Sequence, residues 1–457
     1  MPDIFLSRNA MSLTAKFLPP GPKGDLFFGH FADYSRSPLE FLTRCAREYG
    51  DVVHLKMPCA KIFLLNNPRD IEQILTATNA GFINHGGMRM PLSRRLFGRG
   101  ILISEGDEWR RQKRLTFPQF NHSRIADYAA TMIEETETML SAWRHGETRN
   151  LYRDMIDLNL QVMSKTLFGT DLSPYLAETA AAFDTLKDGF LVKNWRQSFG
   201  MMLPLPVKSR FKTAVEKIGN ITDEIIRQRR AKNTDTNDLL SVLMAAQDLE
   251  GNPISDRQLR DEVKTFLFTG HQATGAALAW TFYLLAKFPE TEKRLQSEIA
   301  EVLGDESFNV SDLKRLNYAS AVLKETLRLY PPGWAVGRES VEDCEVGGYF
   351  APAGSQFVMS QWVVHRDSRF WKAAEDFCPE RWTDEAENKL PKYAYFPHSG
   401  GARFCMGGAF AEMMSIIVMT LVVQKFHLRL ANNRKVEPLP SFGLIPKDGI
   451  EITLAAR

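Results

Sequence analysis

The stretch "HSGGARFCMGGAF" (398–410) decides how this chain is read. Glycines and an arginine lead up to Cys405, and two further glycines lead away from it into a long apolar run. A thiolate is a soft metal ligand that donates electron density to iron. Such a ligand needs a loop that bends closely against a flat macrocycle, and Gly400, Gly401, Gly407 and Gly408 allow that. It needs support for its negative charge, which a helix starting near Met406–Gly408 supplies through its free amides and positive end. Anionic groups on the macrocycle need cations, and Arg403 stands two residues before the cysteine. The competing reading is a buried, inert cysteine in a glycine-rich turn, and the rest of the chain has to decide between them.

The chain has 457 residues and 44% apolar content, ample for a large buried core. Repeats, low-complexity linkers and composition breaks are lacking, so a single domain over 1–457 is expected, with 1–17 a loosely ordered N-terminal segment. "LPPGPKG" (18–24) then reads as a rigid, extended stretch. Lys+Arg is 57 and Asp+Glu is 55, a net charge of +2, so nothing global points to nucleic acid. The five cysteines, Cys45, Cys59, Cys344, Cys378 and Cys405, are scattered with no CxxC pair, which implies a reducing compartment. The first 25 residues carry no charged stretch followed by an apolar one, and nothing there nears the roughly 18 apolar residues of a spanning helix. A cytoplasmic protein without a transmembrane anchor is expected.

Most segments have helical periodicity, among them 37–50, 124–146 and 214–232. Short strands are expected at 51–57 and 61–67, around 346–360 and at 450–455. The fold class is therefore mainly α with small β-sheets (α+β), and the irregular interleaving excludes a doubly wound parallel sheet. "SDRQ" (255–258) reads as a capping box, with Ser255 as N-cap and Gln258 reaching back. With no proline before Pro289, a helix from about 256 to 288 follows. In its middle "TGHQATGAA" (269–277) places small residues where something flat and bulky could approach the backbone; a plain helix crossing is the alternative.

Together these features resemble the cytochrome P450 family, over about residue 18 to the C-terminus. Gly401, Arg403, Cys405 and Gly407 match its haem-binding signature F-x-x-G-x-R-x-C-x-G, and His398 replaces the phenylalanine. "KETLRLYPP" (324–332) is similar to the family's E-x-x-R helix and "FCPERW" (377–382) to the loop whose arginine joins it, implying a structural Glu325–Arg328–Arg381 cluster. "WRRQKR" (109–114) is similar to the W-R-x-x-R helix, which implies that Trp109 and Lys113 bind haem propionates. Arg338 is a further propionate candidate, and His365 falls where the family often has a histidine. The resemblance implies the cytochrome P450 fold, with haem b between the long helix and the cysteine loop, Cys405 as axial ligand, and an oxidoreductase that uses O2.

One departure bears on the chemistry. The family's usual (A/G)-G-x-(D/E)-T motif aligns with this chain through Gly270, so Gln272 takes the acid position and Ala273 the alcohol position. Thr274 is one residue late and faces elsewhere, because a helix turns about 100° per residue; an alignment shifted by one would rescue Thr274 but put His271 where the glycine belongs. Three readings remain open. One is a monooxygenase in which substrate, Gln272 and water replace the missing alcohol. Another is a haem-thiolate peroxygenase or a dehydrogenation, coupling or rearrangement catalyst. The third is a non-enzymatic haem sensor. The chain carries no flavin or iron–sulfur segment, so electrons are expected from a separate ferredoxin or flavodoxin, docking on the basic run Arg110, Arg111, Lys113 and Arg114. A monomer is expected. The pocket is expected to draw on 83–102, Leu267, Phe268, Ala335, Val336 and Leu444, which favours a lipophilic terpenoid or fatty acid. "LVKNWRQSFGMMLPLP" (191–206) is the expected lid.

Overall fold

Helix Asp256–Lys287 is the axis of the helical part. The computed structural model describes residues 18–457 apart from 58–59, 79–80, 85–87, 89–90, 191–205, 233–235, 249, 305, 307 and 433. The expected N-terminal segment 1–17 and all but the last residue of the expected lid therefore lie outside the described residues.

Ser255 caps the long helix by accepting from the Gln258 N–H at 3.2 Å. The reciprocal half of the expected capping box is not made. The Gln258 amide instead donates to the Arg99 carbonyl at 3.1 Å and to Glu262 at 2.9 Å. The helix ends where Pro289 follows Phe288 and opens the next helix. It crosses helix Leu151–Phe168 closely. A Cβ on Gly270 would lie 2.5 Å from Met163 Sδ, and one on Gly275 would lie 2.7 Å from Ile156 Cδ1. Both glycines thus serve a helix crossing, not the approach of a flat ligand. Helix Gly408–Lys425 packs against the same axis and buries Met414, Ile417, Val418, Leu421 and Val422. Among the described residues it is the one helix long and apolar enough to cross a membrane by length and composition, and most of it is buried in the core.

The expected helices form with shifted ends: Pro38–Tyr49, His122–Ser141, and Pro206–Lys232 in place of 214–232. The main sheet contains β1 (Val52–Met57), β2 (Ala60–Leu65), β3 (Phe82–Asn84), β4 (Val336–Ser340) and β5 (Gln356–Met359). Their order is β1–β2–β5–β4–β3, and only β2 and β5 run parallel. Phe357 sits at its centre, stacked on Phe63 at 5.4 Å and edge-on to Phe82 at 5.6 Å. The 346–360 region divides into Cys344–Val346 and Tyr349–Ala351, which pair as a hairpin, and β5. Glu451–Ala456 pairs with Phe426–Leu430 and Thr148–Asn150. The result is mainly helical with small sheets, as the sequence led us to expect.

Candidate functional site

The cysteine loop is set by backbone hydrogen bonds. The Cys405 N–H donates to the His398 carbonyl at 2.9 Å, and the helix begins at Gly408 with Gly407 as its N-cap. The thiol therefore precedes a helix N-terminus, whose unpaired amides favour negative charge. The four glycines divide by role. Gly401 has φ +66°, and a Cβ there would lie 1.8 Å from the Leu75 carbonyl oxygen. Gly400 is closed off by Tyr393, and Gly408 by the His398 ring. Gly407 alone of the four would meet nothing within 4 Å. The expectation that all four admit a ring narrows to Gly407; the other three let protein pack on protein.

His398 uses Nε2 to hydrogen-bond Glu412 Oε1 at 2.9 Å. Burial opposes its charge, but Cys405 and Glu412 outweigh burial and push its pKa up to about 10. The imidazole thus lies between the thiol and a carboxylate.

Three cations approach one another beside this loop. Arg403 donates to Glu105 Oε2 at 2.5 Å and to the Ser104 carbonyl at 2.6 Å, and lies 4.6 Å over the Trp109 ring. Lys113 donates to the Ala402 carbonyl at 2.5 Å and lies 5.3 Å over Trp109. Burial, then the charge of Arg403, lowers its pKa. Arg338 is 3% exposed; it donates to Thr78 Oγ1 at 3.0 Å and to the Gly337 carbonyl. Burial and then Arg403 pull its pKa down to about 10. Glu105 is the carboxylate that acts on both arginines. A buried guanidinium whose hydrogen bonds go to a hydroxyl and a carbonyl favours an anionic ligand.

The expected Glu325 cluster is formed in full. Arg328 donates to both Glu325 oxygens at 2.9 Å, and Arg381 Nε donates to Oε1 at 2.9 Å. Trp382 Nε1 donates to Oε2 at 2.9 Å, and the Cys378 N–H donates to Oε1 at 3.0 Å. Cys378 is therefore tied into the cluster by its backbone. His365 accepts from the Phe396 N–H at 2.9 Å, and its carbonyl accepts from Arg328, so it braces the cysteine loop against the cluster.

On the long helix, Ala273 is exposed although Thr274 and the residues from Gly275 to Leu285 are buried. Ala273 thus marks an open face and Thr274 a closed one. Gln272 is half-buried beside the phenol of Tyr152, whose pKa is raised by burial. Gly270 turns its Cα toward Met163, and its carbonyl accepts from Asn159 at 2.9 Å. Leu267 and Leu444 are fully buried and Phe268 nearly so, whereas Ala335 and Val336 are half-buried.

The basic run divides as well. Arg110 and Arg114 are exposed, and Arg110 pairs with Asp107. Arg111 is half-buried and donates to the Gln247 carbonyl at 2.5 Å. Trp109, Arg110, Lys113, Arg114, Phe117 and Pro118 line a surface recess of about 350 Å³. Phe117 and Phe404 stand exposed together, ring centroids 5.8 Å apart. Sequence reasoning missed Glu105, Tyr152 and Asn159. Glu105 had a signal, since an acid beside a helix start can pair with a nearby arginine; the other two had none.

Comparison with known proteins gives one answer. The family model described as Cytochrome P450 matches residues 19–454. The chain is 32% identical to cyclooctatin synthase of Streptomyces melanosporofaciens, over 97% of each chain. It is 31% identical to cyclooctat-9-en-7-ol 5-monooxygenase of the same organism, over 88% of this chain and 87% of the other. It is 26% identical to pentalenene oxygenase of Streptomyces avermitilis, over 94% and 95%.

Proposed function

The chain belongs to the cytochrome P450 family, and we propose that Cys405 is its axial haem ligand and Arg338, Arg403, Lys113 and Trp109 its propionate site. The protein is a haem-thiolate monooxygenase that oxidises lipophilic small molecules with O2 and electrons from a redox partner. Bound haem supplies the oxidising chemistry. The chain's residues do the rest. The helix start at Gly408 steadies the sulfur, and His398, held by Glu412, stands beside it. Arg338 is the observation that carries the proposal: a buried cation, next to Arg403, answered by hydroxyl and carbonyl oxygens. The two carboxylates of haem fit this set.

The substrate we propose is a terpenoid-like hydrocarbon or its alcohol. Relatives whose names carry pentalenene and cyclooctat-9-en-7-ol support this, as do the apolar residues expected at the pocket, Phe268, Ala335 and Val336. The redox partner is a separate ferredoxin or flavodoxin. Arg110 and Arg114, around exposed Phe117 and Phe404, offer it a basic rim with an apolar centre. The protein acts as a cytoplasmic monomer.

Proton delivery is the open chemical step, since Ala273 brings no hydroxyl to the open face and Thr274 is buried. In our reading Gln272, beside Tyr152, orders water there together with the substrate's own polar group. Haem-loaded protein with a surrogate ferredoxin, its reductase, pentalenene and isotopically labelled O2 tests the activity. Labelled oxygen in the product is expected. Oxidation without label favours the dehydrogenation or coupling alternative, and no spin-state change or turnover with any donor favours a sensor. Ala273→Thr should raise product formed per electron; unchanged coupling would refute the proton-delivery account.

A further inference from the structure

Two adjacent carboxylates on the long helix, Asp261 and Glu262, are 4% and 1% exposed. Buried acids are costly unless partnered, and Asp261 pairs with Lys264 on its own helix at 3.0 Å. Both acids hold backbone amides of one segment. Asp261 Oδ2 accepts from the Arg99 N–H at 3.0 Å, and Glu262 Oε2 accepts from the Ile101 N–H at 3.0 Å. The Arg99 carbonyl between them accepts from Gln258 at 3.1 Å and from Gln112 at 2.8 Å. The segment lies flush on the helix: a Cβ on Gly98 would fall 1.9 Å from Asp261 Oδ2, and one on Gly100 would fall 2.1 Å from Thr265 Oγ1.

The other end of the same segment holds the cation cluster. The Ser104 carbonyl and Glu105 receive Arg403. Asn84 donates its N–H to Glu105 Oε1 at 2.9 Å and its amide to the Leu102 carbonyl at 2.9 Å. Asn84 also stands opposite Arg338 in the β3–β4 ladder. Hydrogen bonds therefore run from the long helix through 98–105 to Arg403, and along Asn84 to the strand that carries Arg338.

We propose that Asp261 and Glu262 are positioning residues for the haem: by holding segment 98–105 they set where Arg403 and Arg338 stand relative to the long helix. This rests on the haem site proposed above. Replacing Glu262 by leucine leaves the Ile101 amide buried without its acceptor, whereas Glu262→Gln keeps an acceptor for it.

The test is the rate of haem transfer from the loaded protein to excess apomyoglobin, with amide hydrogen exchange of the 98–105 peptide measured alongside. Glu262→Leu should lose haem about tenfold faster, the scale of one lost buried hydrogen bond. Its Arg99 and Ile101 amides should exchange faster, with the carbon monoxide band unmoved. Glu262→Gln should stay within about threefold of wild type. Glu292→Gln, in the buried clasp with His427 and Arg457, controls for general destabilisation and should leave haem loss unchanged. Should Glu262→Leu not fold, Gln258→Leu removes a donor from the same segment and should speed haem loss about threefold. Wild-type rates in the leucine variants, a Glu262→Gln as fast as Glu262→Leu, or an equal effect of Glu292→Gln would each overturn the inference. A wild-type protein that takes up no haem would overturn the proposed site itself.

Discussion

Glu262→Gln should flatten the dependence of stability on pH. Burial raises the Glu262 pKa from 4.5 to about 7, against the pull of the Ile101 amide, Gln258 and the Arg111 charge. The unfolded chain releases this proton near 4.5, while the folded protein keeps it to about 7. Stability conferred by the protonated form is thus complete below 4.5 and lost as pH rises through 7. The difference is on the order of 3 kcal/mol. An unfolding entropy of about 2.1 cal/mol/K per residue gives about 1 kcal/mol/K for a chain this long, so the loss amounts to about 3 °C in Tm. Scanning calorimetry of wild type and Glu262→Gln at pH 5 and pH 8 measures it. The wild-type Tm should fall by about 3 °C more than that of the variant, whatever constant offset the substitution adds. Parallel shifts in the two proteins would refute the reasoning, because they would mean that Glu262 is already charged in the folded state at pH 5.

Other expectations follow from the same contacts. Glu325→Ala leaves Arg328 buried without its carboxylate and should cost about 3–5 kcal/mol, read as a lowered Tm and accelerated haem loss; an unchanged Tm would contradict the cluster's role. Reversing charge at Arg110 and Arg114 should slow reduction by a surrogate ferredoxin steeply at low salt and little at high salt. Stopped-flow rates that ignore both substitution and salt would exclude this docking face. His398→Phe removes the polar group between Cys405 and Glu412 and should shift the haem reduction potential in redox titration, while Glu412→Gln should shift it less; equal potentials in all three proteins would remove His398 from any role at the sulfur.

The parts of the fold that were legible in the sequence rest on short spacings. Glu325 and Arg328 are three apart and must share a helix face, and Cys405 adjoins the helix that supports it. Ser255 starts the long helix where an N-cap residue is expected. What was not legible depends on distant partners. The parallel pairing of β2 with β5 joins residues almost three hundred apart, and no local pattern announces it. Gly270 and Gly275 were open to two readings because the sequence does not say that Met163 and Ile156 lie opposite. Arg111 sits in a basic run that reads as fully solvated, yet it is half-buried and tied to the Gln247 carbonyl. Glu262 occurs among charged residues at the start of a helix and reads as solvated; only the fold brings the Ile101 amide to it.

The central claim, that Cys405 is a thiolate ligand to haem, is tested most directly by the reduced carbon monoxide difference spectrum of the haem-loaded protein beside Cys405→Ser. The wild type should give the long-wavelength Soret band of a thiolate-bound ferrous complex, and the serine variant a band shifted to the blue. A blue-shifted band from the wild type, or no haem uptake at all, would contradict it.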